Sequence, residues 1–151
     1  MEIGDKIPAV LGTDASGKEV RSNDFKGKAL VIYFYPKDIT PGCTAEACSL
    51  RDTDREIREM GYTIIGISKD SPASHVKFAE KYSLPFTLLS DTTTEVNQAF
   101  GVWKMKKVCG RKYMGTERTT FVTDADHTIT HIIRKVDTKN AAQQLIDLLQ
   151  K

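Results

Sequence analysis

Cys43 stands directly behind Thr40-Pro41-Gly42, and Cys48 follows five positions later, in a chain that holds only three cysteines. If a helix begins here, Thr40 is a favoured N-cap, Pro41 falls at N1 where its missing N–H is harmless, Gly42 is N2 and Cys43 is N3. A group in that turn lies beside unpaired backbone N–H donors at the positive end of the helix dipole. This favours an anion, which for cysteine is the nucleophilic thiolate. The Thr40 hydroxyl, with one donor and two acceptor sites, can accept from a helix amide and still donate to a thiolate or a substrate oxygen.

Cys48 poses a geometric problem. On a helix, five residues turn about 500° and rise about 7.5 Å, so the two thiols lie on different faces. Their α-carbons would then exceed the ~7 Å reach of a disulfide. Either the pair never bridges, or the helix unwinds. Local opening costs little at a fraying terminus, and this helix starts with Pro-Gly. A reduced, wound state and an oxidised, locally unwound one are therefore expected.

The elements that must hold these residues are legible around them. Ala29 to Tyr35 is β-branched and aromatic almost throughout, as in a strand buried on both faces, and Pro36 ends it. Ala45 to Met60 lacks Pro and Gly and reads as a helix with a thin apolar stripe of Ala47, Leu50 and Ile57, closed by Gly61. Tyr62 to Ser68 is a second strand. Ser71-Pro72 caps a further helix whose apolar residues are Val76, Phe78, Ala79 and Tyr82. Phe86 to Ser90 is a third strand, and Glu95 to Phe100 a short helix. Strands alternating with helices need right-handed crossovers and so a parallel core sheet.

Beyond this half the pattern changes. Thr119 to Asp124 and Thr128 to Ile133 form a hairpin around Ala125-Asp126-His127, and Asn140 to Leu149 is an amphipathic closing helix. Near the start, Ala9 to Thr13 and Lys18 to Arg21 flank the turn Asp14-Ala15-Ser16-Gly17, a hairpin at a sheet edge. The fold class is α/β: a mixed β-sheet flanked by helices, with an N-terminal β-hairpin, similar to a thioredoxin fold. Nothing between Phe100 and Thr119 is assigned to an element.

Composition narrows the function classes. At 151 residues and 40% hydrophobic, the chain reads as one domain, residues 1–151, able to build a core without disulfide staples. Its 22 basic and 20 acidic side chains, read as spread along the chain, give no footprint for nucleic acid or an anionic membrane. No basic and apolar leader and no membrane-length apolar stretch is found, so a soluble, cytoplasmic protein is expected. A reducing compartment keeps thiols free unless they are catalytic or redox-sensing.

Pro36-Lys37-Asp38-Ile39-Thr40-Pro41-Gly42-Cys43 fits the P-x-x-x-T-x-x-C signature of peroxiredoxins. With Thr44, Glu46 and Cys48 it extends to T-P-G-C-T-x-E-x-C, which resembles the bacterioferritin comigratory protein, or PrxQ, subfamily. Gly4-Asp5 through Pro8, Phe25 to Lys28, Gly66-Ile67-Ser68 and Gly115 to Phe121 carry the likeness along the chain. The resemblance implies a peroxiredoxin-type thioredoxin-like fold and thiol-dependent reduction of hydrogen peroxide and organic hydroperoxides. It makes Cys43 the peroxidatic cysteine, oxidised to a sulfenic acid, and Cys48 the resolving cysteine that closes an intramolecular disulfide. It also implies that Arg118 stabilises the thiolate and the charge developing on the peroxide. Thr40 would orient the peroxide, and Pro36 would cover the site and limit water. Thioredoxin is the implied reductant, no metal or organic cofactor is required, and a monomer suffices because both thiols lie in one chain.

Cys109, among Lys106, Lys107 and Arg111, reads as an incidental surface thiol; a secondary redox or intermolecular role is the other possibility. Glu46 shares the helical face of Cys43 but reads equally as an exposed first-turn acid and is kept out of the catalytic set. His75 reads as a solvated helix residue, and His127 with His131 lacks the further ligands that zinc needs. Two other functions compete: a thiol-disulfide oxidoreductase, which would use C-x-x-C instead of the spacing found here, and a redox sensor or chaperone-like module.

Overall fold

The computed structural model describes residues 1–150. In chain order its principal elements are β1 (Val10–Thr13), β2 (Glu19–Arg21), β3 (Ala29–Phe34), α1 (Pro41–Glu59), β4 (Tyr62–Ser68), α2 (Pro72–Tyr82), β5 (Thr87–Ser90), α3 (Glu95–Ala99), β6 (Trp103–Val108), β7 (Arg111–Thr116), β8 (Thr119–Thr123), β9 (Ile129–Ile133) and α4 (Ala141–Leu149). Seven strands form one sheet in the order β2-β1-β5-β4-β3-β8-β9. The pairs β3/β4 and β4/β5 are parallel, whereas β1/β2, β1/β5, β3/β8 and β8/β9 are antiparallel. The expected mixed sheet and edge hairpin are both present.

Period-two alternation in β3 divides the core. Val31 and Tyr33, continued by Tyr35, enter a cluster with Ala47, Leu50 and Ile57 of α1, Phe78 of α2 and Leu145 of α4. Leu30, Ile32 and Phe34 face the other way, onto Ile65, Ile67, Leu89, Phe100 and Phe121. A strand buried on both sides needs apolar residues at every position, which is why its sequence shows no alternation. Opposite Tyr33 in the ladder stands Gly66, where a β-carbon would come within 2.8 Å of the Tyr33 ring. The glycine makes room for that aromatic.

The buried residues of α1 are Cys43, Glu46, Ala47, Leu50, Asp54 and Ile57. Cys43, Ala47, Leu50, Asp54 and Ile57 recur at alternating steps of four and three, the stripe that one helix face presents to a sheet. Cys43 is thus the first residue of the core-facing stripe, and Cys48 lies off it.

The segment after Phe100, to which the sequence assigned no element, is not irregular: β6 and β7 form a separate two-stranded ribbon, closed by Cys109 and Gly110 at φ 50° and 79°. Two consecutive positive φ values are what a tight two-residue hairpin turn demands. The ribbon escaped sequence reading because most of its residues are exposed, leaving no apolar alternation to detect. Nor are the cations evenly spread, since the ribbon carries Lys104, Lys106, Lys107, Arg111 and Lys112 without a single carboxylate. No helix among the described residues is long and apolar enough to cross a membrane.

Candidate active site

Helix α1 starts where the sequence places it, with Thr40 as N-cap in extended conformation and Pro41 at N1. The amides of Gly42 and Cys43 fall in the first turn, where an α-helix supplies no acceptor. Cys43 points into the core and is 1% exposed. All three cysteines are free: Cys43 buried, Cys48 half-buried and Cys109 exposed at the ribbon tip.

Sheet topology brings Arg118 to this thiol. Thr119 opens β8 and pairs with Phe34, near the end of β3, so the residue before Thr119 arrives beside the start of α1. Arg118 Nη2 donates to Cys43 Sγ at 3.2 Å, and its Nη1 donates to Glu46 Oε1 at 2.6 Å. A guanidinium proton aimed at sulfur stabilises negative charge there, and the planar fork lets one residue serve two acceptors. Burial works against the Arg118 charge, but Glu46 and Cys43 outweigh it and raise its pKa further.

Glu46 corrects another expectation. It is 1% exposed, not a solvated first-turn acid, and its Oε2 has no hydrogen-bond partner. Burial pushes its carboxyl up to about 7, against the opposing pull of Arg118. The neighbouring Tyr33 hydroxyl is likewise buried without a partner. Its pKa is raised by burial first and then by the charges of Glu46 and Cys43. Sequence spacing placed Glu46 on the thiol's face; what it lacked was the long-range contact with Arg118 that makes burial tolerable.

Thr40 departs from expectation in its side chain. The hydroxyl makes no cap bond and instead donates to the Lys37 carbonyl at 2.8 Å. The intervening Ile39, at φ 62°, folds the segment back and brings that carbonyl within reach. Pro36 is half-buried immediately after β3. Cys48 lines a groove of about 460 Å³ between α1 and the start of α4, with Ser49, Asp52, Lys139, Ala142 and Gln143.

His75 is not solvated but 3% exposed, with its ring held between Asp38 and the Leu89 carbonyl. His127 Nε2 faces the Phe25 carbonyl and His131 Nδ1 the Thr130 hydroxyl. No cluster of three or more metal-ligating side chains occurs among the described residues. On the ribbon side, the Lys106 ammonium has a lowered pKa, from burial first and then from the Arg118 charge. Beside it, the Lys69 ammonium stands 5.8 Å from the ring centroid of Trp103.

A buried thiol at a helix N-terminus, hydrogen-bonded by a guanidinium, is arranged for nucleophilic attack on a small electrophile. The AhpC/TSA family pattern matches residues 3–132. The chain is 46% identical to Peroxiredoxin Bcp of Bacillus subtilis over 100% of its length and 99% of that protein's. It is 40% identical to Peroxiredoxin Bcp of Escherichia coli K12, covering 100% and 97%. Among solved structures it superposes on the Xanthomonas campestris bacterioferritin comigratory protein, described for its alkyl peroxide reduction activity, with a TM-score of 0.88 and 32% identity. That match covers 99% of this chain and 98% of the other. The chain therefore belongs to the AhpC/TSA family and has the thioredoxin-like fold of its members. Within that family it is a peroxiredoxin of the Bcp, or PrxQ, type, a thiol peroxidase.

Proposed function

We propose that Cys43 is the peroxidatic cysteine of this enzyme and Cys48 its resolving cysteine. The Cys43 thiolate attacks the O–O bond of hydrogen peroxide or an organic hydroperoxide, forming an S–O bond. The leaving oxygen takes up a proton and departs as water or alcohol, and the sulfur becomes a sulfenic acid. Cys48 then displaces the sulfenic oxygen as water and closes a disulfide. A dithiol reductant of the thioredoxin type takes that disulfide back to two thiols. The observation carrying this reading is the 3.2 Å contact from Arg118 Nη2 to Cys43 Sγ, which supplies a fixed cation where charge is transferred.

Closure requires the first turn of α1 to melt, because the two sulfurs are free and the helix between them is intact. Pro36 and Thr40 belong to the segment entering that turn. With its proton given to the Lys37 carbonyl, the Thr40 hydroxyl still accepts, so it can take a hydrogen bond from a peroxide O–H, and Pro36 limits water around the thiol. Both cysteines lie in one chain, so a monomer completes the cycle. A reducing compartment such as the cytoplasm suits the three free thiols.

The reading is tested by adding one equivalent of hydrogen peroxide to reduced protein and mapping disulfides by mass spectrometry. A Cys43–Cys48 link is expected. Cys43→Ser should abolish peroxide consumption, whereas Cys48→Ser should allow one stoichiometric oxidation and lose thioredoxin-supported turnover. Full turnover in Cys48→Ser would transfer the resolving role to Cys109.

A further inference from the structure

The residues between β3 and α1 are held by a buried network that the chemistry above does not use. Asp38, 6% exposed, lies two positions before the N-cap. Its Oδ1 accepts from the Tyr35 hydroxyl at 2.6 Å, and its Oδ2 accepts from the Ser74 hydroxyl at 2.8 Å. The same Oδ2 stands 2.7 Å from His75 Nδ1. The other ring nitrogen, Nε2, faces the Leu89 carbonyl at 3.0 Å. A carbonyl only accepts, so Nε2 carries a hydrogen, and the pair must hold a second proton between Nδ1 and Oδ2. Burial opposes the Asp38 charge, but the hydrogen bonds from His75 and Tyr35 prevail and lower its pKa.

The network clasps the segment from several sides. The Asp38 amide donates to Asp70 Oδ2 at 2.8 Å, and Asp70 in turn accepts from the Ser68 hydroxyl at 2.8 Å. Thus Asp70, just past β4, and Ser74 and His75 at the start of α2 grip one residue of the segment directly, with Ser68 of β4 and Leu89 of β5 bracing them from behind. Its neighbour Ile39 is β-branched yet sits at φ 62° and is 43% exposed. Such a conformation persists only where the surroundings over-determine it. Ile39 gains little from packing, so the grip on Asp38 is what imposes the turn.

We propose that Asp38 and His75 form a positioning pair: they pin the segment from Pro36 to Ile39 so that melting of α1 begins at its first turn and does not spread backwards. The pair thereby sets how the enzyme divides between the wound state that meets peroxide and the unwound state that closes the disulfide. This rests on the assignment of Cys43 and Cys48 above. In the closing step, Cys43–SOH and the Cys48 thiol give one S–S bond and one water.

The test measures two rate constants separately, sulfenic acid formation and disulfide closure, in Asp38→Asn, His75→Gln and the double variant. His75→Gln removes the ring whose two nitrogens face Asp38 and Leu89. In each single variant the peroxide step should slow by about tenfold, the scale of a misplaced reacting group. Closure should quicken by about threefold, as expected when an opening equilibrium is relieved. The double variant should match the slower single, because the pair acts as a unit. Equal slowing of both steps, unchanged rates, or additive losses in the double variant would each overturn the proposal.

Hydrogen exchange on the parent protein covers the case in which a variant does not fold. The Asp38 amide, bonded to Asp70, should remain protected in the disulfide form while the amides of residues 44–46, the first that the helix satisfies, lose protection. Loss of protection in both segments together would refute the pin. A Cys43 that mass spectrometry finds unoxidised would instead refute the catalytic assignment, and exchange in the reduced protein would still report on the pair.

Discussion

A β-carbon at Gly42 would stand 3.3 Å from Nη2 of Arg118, the nitrogen that donates to Cys43. The first turn of α1 is therefore shaped around the guanidinium as well as around the thiol. Gly42→Ala should separate stability from activity. Alanine in a helix is favoured over glycine by about 0.5–1 kcal/mol, so thermal unfolding should not fall. The displaced guanidinium should nevertheless slow the peroxide reaction by about tenfold or more. Paired melting and stopped-flow measurements check this, and a variant that is faster or unchanged in the peroxide step would contradict it.

Replacing Arg118 by Met removes the cation and both of its hydrogen bonds. Loss of one donor to a developing charge costs about 10²–10³ in rate, and that is the loss expected for second-order reaction with peroxide. Arg118→Lys should recover only a fraction, because a point charge cannot hold Glu46 and Cys43 together. Arg118→Met should also lower stability at high pH, where an ionised Glu46 would lie buried without a partner.

Glu46 gives a pH prediction whose sign follows from burial. Its folded pKa of about 7 lies above the ordinary 4.5, so the folded protein holds a proton that the unfolded chain has released. This contribution to stability is full below about pH 4.5 and disappears as pH rises through about 7, a change on the order of 3 kcal/mol. Glu46→Gln should flatten that part of the stability curve. Denaturant midpoints at several pH values between 5 and 8 measure it, and equal slopes in parent and variant would refute it.

Tyr33 offers a test of the unpartnered hydroxyl. Its ring stacks on Tyr35 at 5.3 Å and meets Phe86 edge-on at 5.9 Å, contacts that phenylalanine would keep. A buried hydroxyl without a partner costs about 1–3 kcal/mol, so Tyr33→Phe should raise stability by about 1 kcal/mol. A fall would mean that the hydroxyl has a partner, such as an ordered water shared with Glu46 Oε2.

The sequence exposed the elements with strong local signals and concealed those defined by distant contacts. The buried run of β3, the caps Thr40 and Ser71 and the stripe of α4 were legible because each is encoded by neighbouring residues. The β6/β7 ribbon lacked a buried face and so lacked a pattern. Cys43 and Arg118 could be named, but their distance depends on the pairing of β8 with β3. Glu46 and His75 were misjudged for the same reason, since a polar side chain is solvated or buried according to partners 72 and 37 residues away. The Thr40 hydroxyl turned elsewhere because Ile39 adopts a backbone conformation that its residue type disfavours.

The chain has a single tryptophan, and it stands at the base of the ribbon with a lysine ammonium close to its ring. On the same strand, Lys106 already feels the charges of Arg118 and Cys43. An indole so placed is an optical probe supplied by the protein itself. If Cys43 follows the proposed cycle, its passage through sulfenic acid to disulfide alters the local field twice, and the emission should change in two phases without any added label.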